Sequence, residues 1–182
     1  MEGPVEKGER LWAGEGIAVY ATDQAEALIL EFEAAAACEA AYQMQALLQK
    51  HTLSSSFLER LNSRSFLIRR VEPLSVQVAA EAEAGEVRLE LQRAGDGQPL
   101  SREEALQEPG LSPKRLERME DVATHAARSL RAHLSLQGVE RLRIPLRFGL
   151  THDGACLLQV VNPLGCDLGT TDMGRLAQLL GG

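Results

Sequence analysis

The glycine-rich turn Gly14-Glu15-Gly16 is the first place in the sequence where the residue types fit phosphate chemistry. It lies between two strand-like runs, as a loop that covers a phosphate group would. However, the turn has no lysine and no third glycine, and its central side chain is a carboxylate that would repel an anion. Because glycines mark turns in every class of protein, we favour a plain hairpin turn over a phosphate site.

The histidines are the next candidates, as metal ligands or general bases. His125 and His133 are eight residues apart on one predicted helix, which separates them by about 12 Å along the helix axis. That distance is too long for both to bind one metal ion, so we expect two histidines on the helix surface. The pair His152-Asp153 falls in a predicted turn, where such residues usually stabilise the turn itself.

The remaining nucleophiles and acids also lack the neighbours that catalysis needs. Ser54-Ser55-Ser56 has no general base nearby in the sequence, and Glu81 and Glu83 alternate beside a glycine as the solvated end of a strand would. The three cysteines lie far apart and form no metal-binding spacing: they are Cys38, Cys156 and Cys166. We therefore predict no catalytic, cofactor-binding or metal-ligating residue from the residue types alone.

Composition limits the classes of partner. The 182 residues carry 26 acidic and 19 basic side chains, a net charge of −7, which disfavours nucleic acid as a partner. The longest apolar-looking stretch, Ala34–Leu48, contains Glu and Gln, so we expect no membrane span. Met1–Arg10 has no apolar core typical of a signal peptide, and the cysteines look like reduced thiols. We therefore expect a cytoplasmic protein.

The first third of the chain predicts a β-meander followed by a helix. Three strand-like runs come first: Arg10–Ala13, Ile17–Thr22 and Ala27–Glu33. Ala34–His51 then lacks Gly and Pro and ends on basic residues, as a helix does.

The rest of the chain alternates between strand and helix blocks. Four more strands are predicted at Ser56–Leu61, Phe66–Val71, Leu74–Ala80 and Glu86–Arg93. Ser101 and Glu104 have the spacing of a capping box, and Ser112-Pro113 opens the longest helix. The chain then predicts two strands, Arg141–Leu150 and Ala155–Val161, joined by a turn, and a final helix, Asp172–Leu180.

Because strands and helices occupy separate blocks, the predicted class is α+β. We divide the chain into an N-terminal lobe with an antiparallel β-meander, residues 1–73, and a second α+β lobe with one long helix, residues 74–182. The two lobes are expected to pack together as one unit.

Several stretches, taken in order, resemble one known family along nearly the whole chain. They are LWAGEGIAVYAT with ALILEFE, FLERLNSRSFLIRRV with PLSVQV, IPLRFGL after the long helix, LLQVVNPLG, and the terminal DMGRLAQLLGG. The scaffold positions that match are Val19, Tyr20, Phe32, Glu59, Arg60, Leu61, Phe148 and Gly149. The family that these stretches resemble is SAICAR synthetase, or phosphoribosylaminoimidazole-succinocarboxamide synthase, and the resemblance implies its α+β fold.

The family's chemistry, as the resemblance implies it, is the ATP- and Mg²⁺-dependent joining of aspartate to a carboxylated aminoimidazole ribotide through an acyl phosphate. Such chemistry needs cations for the phosphates and acids for the metal. At the matching positions this chain has other residues. Glu15 and Ile17 replace two lysines, Ala34–Ala37 replaces a polar stretch, and Ala79 and Ala80 replace Arg-Asn. In the later motifs, an acid, a lysine and a second acid are replaced by Arg143, Pro145 and Arg147, and further acids are replaced by Gln159, Val160 and Leu164. Pro163 is kept, and Asp167 stands near the family's arginine position.

The loss of several charged motifs together predicts a pseudoenzyme without ATP or Mg²⁺, which acts through contact with itself or with an active purine-biosynthesis enzyme. Two alternatives stay open. One is an active SAICAR synthetase whose ligands have moved. The other is a small-ligand sensor that uses the vestigial cleft, where four arginines are candidates for an anion: Arg69, Arg70, Arg143 and Arg147.

Overall fold

The computed structural model describes residues 5–181 and contains two antiparallel sheets. The first sheet has five strands in the order β1-β2-β3-β5-β4. These strands are β1 (Lys7–Gly14), β2 (Ile17–Thr22), β3 (Ala27–Phe32), β4 (Phe57–Asn62) and β5 (Ser65–Arg69). The N-terminal β-meander is therefore confirmed, and β1 and β4 form the two edges of the sheet.

The second sheet has four strands in the order β7-β6-β8-β9. They are β6 (Glu72–Glu83), β7 (Glu86–Arg93), β8 (Arg141–Leu150) and β9 (Cys156–Leu158). β6 and β8 are far apart in the sequence but pair over most of their length, from Glu72 opposite Leu150 to Glu83 opposite Arg141. This long-range pairing places β6 at the centre of the sheet.

Four α-helices complete the fold: α1 (Ala35–Lys50), α2 (Arg102–Leu106), α3 (Pro113–Ser135) and α4 (Met173–Gly181). The predicted capping box is present at α2, where the Ser101 side chain accepts from the Glu104 backbone N–H and the Glu104 carboxylate accepts from the Ser101 backbone N–H. Ser112 caps α3 and Pro113 is its first residue, as predicted.

The main core lies between α3 and one face of the four-stranded sheet. We name the face of the sheet that packs against α3 the inner face. In this core α3 contributes Leu116, Met119 and Leu130, and the sheet contributes Val78 and Ile144, and all five side chains are completely buried. Leu48 of α1 and Leu176 of α4 join the same cluster. Because these side chains are apolar and fully enclosed, this core supplies most of the hydrophobic stabilisation.

A smaller core joins α1 to the five-stranded sheet. The rings of Phe32 and Phe57 both pack edge-on against Phe66, at centroid distances of 5.2 and 5.0 Å. Arg60 of β4 forms an ion pair of 2.5 Å with Glu39 of α1. Arg60 also lies 5.0 Å from the ring centre of Tyr42. Arg60 thus links β4 to α1.

One predicted strand is too long. Ala155–Val161 was expected as a single strand, whereas β9 covers only Cys156–Leu158. The backbone N–H of Gln159 still donates to the Arg147 carbonyl of β8 at 2.9 Å. On the other side, the N–H of Ser56 donates to the Leu158 carbonyl, and the N–H of Val160 donates to the Ser56 hydroxyl. From Val160 onwards the segment is therefore held by Ser56, which precedes β4, rather than by β8.

The two sheets meet in the chain between Arg69 and Glu72. The division into lobes at residue 73 stays a prediction, and the outer ends of both predicted ranges lie outside the described residues. Within residues 5–181, no helix combines the length and the apolar character needed to cross a bilayer.

Candidate functional site

The face of the four-stranded sheet opposite α3, which we name the outer face, is where the charged side chains of β6, β7 and β8 lie. The strand register places them in three rows across the sheet. The rows are Gln92–Gln77–Arg147, Glu90–Ala79–Pro145 and Arg88–Glu81–Arg143. The middle row has small or apolar side chains at β6 and β8, so the face has a shallow floor between two polar rows.

The Gly14–Gly16 turn is held beside the outer face by contacts with the segment that follows β9. The Asn162 side chain donates to the Glu15 carbonyl at 3.0 Å. Glu15 and Gly16 both have positive φ, 55° and 78°. A Cβ at Gly16 would lie 2.5 Å from the end of the exposed Leu164 side chain, which would have to move, and the positive φ favours glycine there.

A chain of side-chain hydrogen bonds runs from this turn across the sheet. The Arg147 guanidinium lies 3.4 Å from a Glu15 carboxylate oxygen and donates to the Gln77 amide oxygen at 3.1 Å. Gln77 in turn donates to Gln92 at 2.8 Å, and Gln92 donates to Glu90 at 2.7 Å. The two glutamines are only 5% and 4% exposed. This first row is therefore an internally paired polar network, which we call the Glu15–Glu90 network.

A cavity of about 370 Å³ lies next to the network. Ala79 and Pro145 form part of its wall, Leu164 lies on one side, and the Arg143 side chain lines it as well. The Arg143 backbone exchanges two hydrogen bonds with Asp167, at 2.8 and 2.9 Å. Within residues 5–181 the Arg143 guanidinium makes no ion pair within 4.0 Å and no side-chain hydrogen bond, but it lies between two carboxylates: Asp167 lines the same cavity, and Glu81 is opposite in the strand register.

The acidic side chains at the end of β6 form ion pairs with arginines. Glu81 bonds Arg141, and Glu83 lies 4.0 Å from the same guanidinium and 3.9 Å from Arg88. The hydrogen bond from Arg141 lowers the pKa of Glu81 below its usual range. Across residues 5–181, no three His, Cys, Asp or Glu side chains lie close enough to bind a metal ion together. The solvated strand end predicted for Glu81 and Glu83 is what the geometry shows.

Seven of the positions at which the sequence departs from the family motifs lie on the outer face or its rim. These are Glu15, Ala79, Arg143, Pro145, Arg147, Leu164 and Asp167. The others point away: Ile17 and Val160 pack in the smaller core, Ala80 packs in the main core, and Gln159 donates to the Phe148 carbonyl. Ala34 precedes α1 without a side-chain cap, and Ala37 is fully buried.

The two helical histidines lie at the protein surface, as expected, and each contacts a backbone carbonyl. His125 is exposed and bonds the His51 carbonyl at 2.9 Å, while His133 bonds the Leu179 carbonyl at 3.1 Å. Each histidine ties α3 to a different part of the chain, so they do not form one site.

The pair His152-Asp153 serves its turn, as predicted. Asp153 accepts a hydrogen bond from Thr151, which lowers the pKa of the Asp153 carboxyl, and His152 is exposed. Among the serines, Ser55 donates to the Gln45 amide oxygen at 2.6 Å. Ser56 is buried and accepts from the backbone of Val160. None of these groups is placed as a nucleophile beside a base.

The cysteines are free thiols. Burial raises the pKa of Cys38 and Cys156, and it raises the pKa of Cys166 to about 12. A thiol with a raised pKa is protonated at neutral pH and is a poor nucleophile or metal ligand. The expectation of packed, reduced thiols agrees with these surroundings.

The four arginines named as anion candidates do not share one cavity. Arg70 lines a separate cavity between the sheets, bounded by Glu26 and His152, while Arg69 lies 3.8 Å from Asp153. Arg143 and Arg147 belong to the outer face instead. Of this second pair only Arg143 lines the outer-face cavity.

Two residues of the network were missed from the sequence. Gln77 and Gln92 look like ordinary polar residues of alternating strands, and their burial depends on the pairing of β6 with both neighbours. A glutamine inside the otherwise apolar run of β6 is the one signal that pointed to a buried polar contact.

No protein-family model matches the sequence, and the curated proteins give no match either. Solved structures do match over most of the chain. Phosphoribosylaminoimidazole-succinocarboxamide synthase from Ehrlichia chaffeensis superposes with a TM-score of 0.78 at 16% identity, covering 95% of this chain and 92% of that one.

Two further structures were solved with ligands. A type-2 SAICAR synthetase in complex with ADP gives a TM-score of 0.73 at 16% identity, covering 84% of this chain and 80% of that one. The SAICAR synthase from Saccharomyces cerevisiae complexed with SAICAR gives 0.63 at 9% identity, covering 84% and 72%. The resemblance in fold seen in the sequence is confirmed: this chain has the α+β fold of the SAICAR synthetases.

Proposed function

We propose that this chain is a non-catalytic paralogue of SAICAR synthetase that acts in the purine pathway through protein contacts rather than through ligation. The observation that carries the proposal is the charge arrangement of the outer face. Where the resemblance places lysine near the phosphates, the chain has Glu15, and where it places acids it has Arg143 and Arg147. Both exchanges reverse the charge that ATP and Mg²⁺ require.

The energetic consequence of these exchanges is large. Removal of a single group that stabilises a transition state commonly costs about 10²- to 10³-fold in rate. Here several such groups are replaced together, and the Glu15–Glu90 network pairs the new ones with each other. A network that is internally satisfied gives no Mg²⁺ ligand and only a weak hold on a triphosphate.

Protein contact is supported by the apolar side chains on both edges of the five-stranded sheet. Leu11 and Trp12 on β1 are each 46% exposed, and Leu58 and Leu61 on β4 are 50% and 37% exposed. Large apolar groups on an edge strand are typical of a surface that another chain covers. A second copy of this chain and an active purine-biosynthesis enzyme are the two partners that the proposal admits.

Thermal unfolding with nucleotide tests the loss of the ATP site. We expect no difference in Tm between 5 mM Mg·ATP and the same ATP with excess EDTA, because a ligand that does not bind cannot stabilise the folded state. Any stabilisation by ATP that requires Mg²⁺ contradicts the proposal. An active SAICAR synthetase measured in parallel shows that the assay detects binding.

Native mass measurement tests the contact surface. If the edges are covered in a homo-oligomer, Trp12→Asp and Leu58→Asp shift the population to monomer, whereas Leu136→Asp, at an 83% exposed position after α3, leaves it unchanged. If the wild-type chain is a monomer, the same variants are titrated with the purified active enzyme. A monomer that also fails to bind that enzyme contradicts the contact role.

A further inference from the structure

The hairpin of β1 and β2 is attached to the rest of the sheet by few buried contacts. Seven of the eight residues of β1 are exposed and none of β2 is buried, whereas five of the six residues of β3 beside it are buried. The pairing of β1 with β2 is also interrupted by two register shifts. A segment with few buried contacts opens at a lower free energy than the core does. The contacts at the tip of the hairpin therefore matter for keeping it closed.

The tip of the hairpin is held by the side chain of Asn162, which forms two hydrogen bonds. Its Oδ1 accepts from the backbone N–H of Leu164 at 3.1 Å, and its Nδ2 donates to the Glu15 carbonyl at 3.0 Å. The first bond is the local turn that asparagine side chains favour, and it fixes the orientation of the amide for the second. The Leu164 side chain also lies against Gly16, where an added Cβ would be 2.5 Å from it.

Arg147 provides another contact to the same turn. Its guanidinium lies 3.4 Å from a Glu15 carboxylate oxygen and donates to the Gln77 amide oxygen at 3.1 Å. The Glu15 and Arg147 side chains are 51% and 35% exposed, so water and salt weaken this ion pair. We call the contacts of Asn162 and Arg147 with the turn the latch. The hydrogen bond from Asn162 is the part of the latch that salt does not screen.

The strand that the hairpin covers, β3, is apolar on both faces. On one face Leu30 packs with Val19 of β2 in the smaller core. On the other face Ile29 packs with Tyr20 of β2. When the hairpin opens, β3 becomes the edge of the sheet and these side chains lose their cover. Because an unpaired apolar edge strand readily pairs with another chain, holding the hairpin closed protects β3 from association.

We propose that the latch is a conformational device that sets how often the β1–β2 hairpin opens. With the latch closed, the tip of the hairpin is held beside the outer face and β3 stays paired. With the latch released, the hairpin separates from β3 as a unit while the four-stranded sheet remains folded. The inference goes beyond the proposed function, because it requires neither a partner nor the loss of ligation.

Hydrogen exchange measured by mass spectrometry tests the latch with the variant Asn162→Asp. The new carboxylate still accepts from the Leu164 N–H, but it cannot donate to the Glu15 carbonyl. We expect the amides of residues 7–22 to exchange about 5- to 10-fold faster than in wild type, because one hydrogen bond of the closed state is lost. The amides of β7, in the other sheet, should keep their wild-type exchange rate.

The ion pair of the latch is tested with Arg147→Gln. This variant should accelerate exchange of residues 7–22 about two- to fivefold, as expected for an exposed pair. Adding about 0.5 M NaCl should accelerate exchange in wild type but not further in this variant. Arg88→Gln is the matched control, because its side chain is 70% exposed and its ion-pair partner is Glu83, away from the hairpin. It should keep wild-type exchange.

Two results overturn the inference. One is a wild-type exchange rate of residues 7–22 in Asn162→Asp. The other is an equal acceleration in β7, which would show a general loss of stability instead of release of the hairpin. Neither result bears on the proposed function, which is decided by nucleotide binding, partner contact and turnover.

Discussion

The inner and outer faces of the four-stranded sheet are made by alternate residues of the same strands, yet they meet different requirements. The inner face is apolar and buried against α3. The outer face is a set of charged and amide groups bonded to each other. A scaffold can keep its fold as long as the inner face is kept, so the chemistry of the outer face is free to change.

Adjacent residues of β8 give the most direct comparison. Ile144 is completely buried on the inner face, and Arg143 is exposed on the outer face. Ile144→Ala is expected to lower the free energy of unfolding by about 2–5 kcal/mol, because it leaves a cavity in the core. Arg143→Ala is expected to change it by less than about 0.5 kcal/mol. Urea denaturation measures both; similar losses for the two variants would contradict the division between the faces.

Gly149 lies where β8 meets the chain that joins the two sheets. A Cβ there would be 2.6 Å from the Val71 side chain and 3.0 Å from the Glu72 carbonyl, and the backbone carbonyl cannot easily move. Gly149→Ala is therefore expected to destabilise the protein by about 2–3 kcal/mol through overpacking.

Gly174→Ala is the matched control, because it lies in α4 and its nearest contact is the Asp172 carboxylate at 3.4 Å. Thermal unfolding should show a lower Tm for Gly149→Ala only. A normal Tm for this variant would mean that the junction between the sheets is looser than the contacts indicate.

The buried amides of the Glu15–Glu90 network come next. Gln92→Ala removes the acceptor of the Gln77 amide, leaving a buried donor without a partner. We expect a loss of about 1 kcal/mol in unfolding free energy, near the low end for such groups because water can enter the cavity beside them. The exposed Gln98→Ala should have no effect. An equal and negligible effect of both would show that the network does not order the outer face.

The smallest loss in unfolding free energy is expected from the ion pair between Glu39 of α1 and Arg60 of β4. Hydrogen bonds from Gln43 and Arg60 hold the pKa of Glu39 below its ordinary value of 4.5. A lowered pKa stabilises the fold above that ordinary value and stops doing so once the pH falls through the pKa of the folded state.

Glu39→Gln should therefore cost about 0.2–1 kcal/mol at pH 7, and the gap to wild type should close as the pH falls below 4.5. Glu33→Gln, at an exposed carboxylate that makes no ion pair within residues 5–181, should match wild type at pH 7 and serves as the control. If the difference in unfolding free energy between Glu39→Gln and wild type persisted below pH 4.5, it would come from packing and not from the charge of Glu39.

The sequence predicted the elements well because their signals are local. Ser112-Pro113 begins α3 and Ser101 with Glu104 begins α2, as capping chemistry requires. The clean alternation of Glu86–Arg93 predicts β7 with its observed bounds. The family resemblance added the overall arrangement, which local patterns cannot supply.

The outer face was less predictable because it depends on contacts between distant residues. Glu15 and Arg147 are 132 positions apart, and Gln77 and Gln92 are buried only when β6 lies between β7 and β8. The end of β9 was predicted wrongly for the same reason, since the backbone of Val160 bonds the distant Ser56 side chain instead of β8. Periodicity reports which side of a strand a residue takes, not which residue it meets there.

The most direct test of the account is turnover. Purified protein is incubated with aspartate, carboxylated aminoimidazole ribotide, ATP and Mg²⁺, and the succinocarboxamide product and ADP are quantified by chromatography against an active SAICAR synthetase. Because the outer face pairs its own charges instead of offering ligands for Mg·ATP, the account predicts no product above a reaction without protein. Mg²⁺-dependent formation of product by this chain would contradict it.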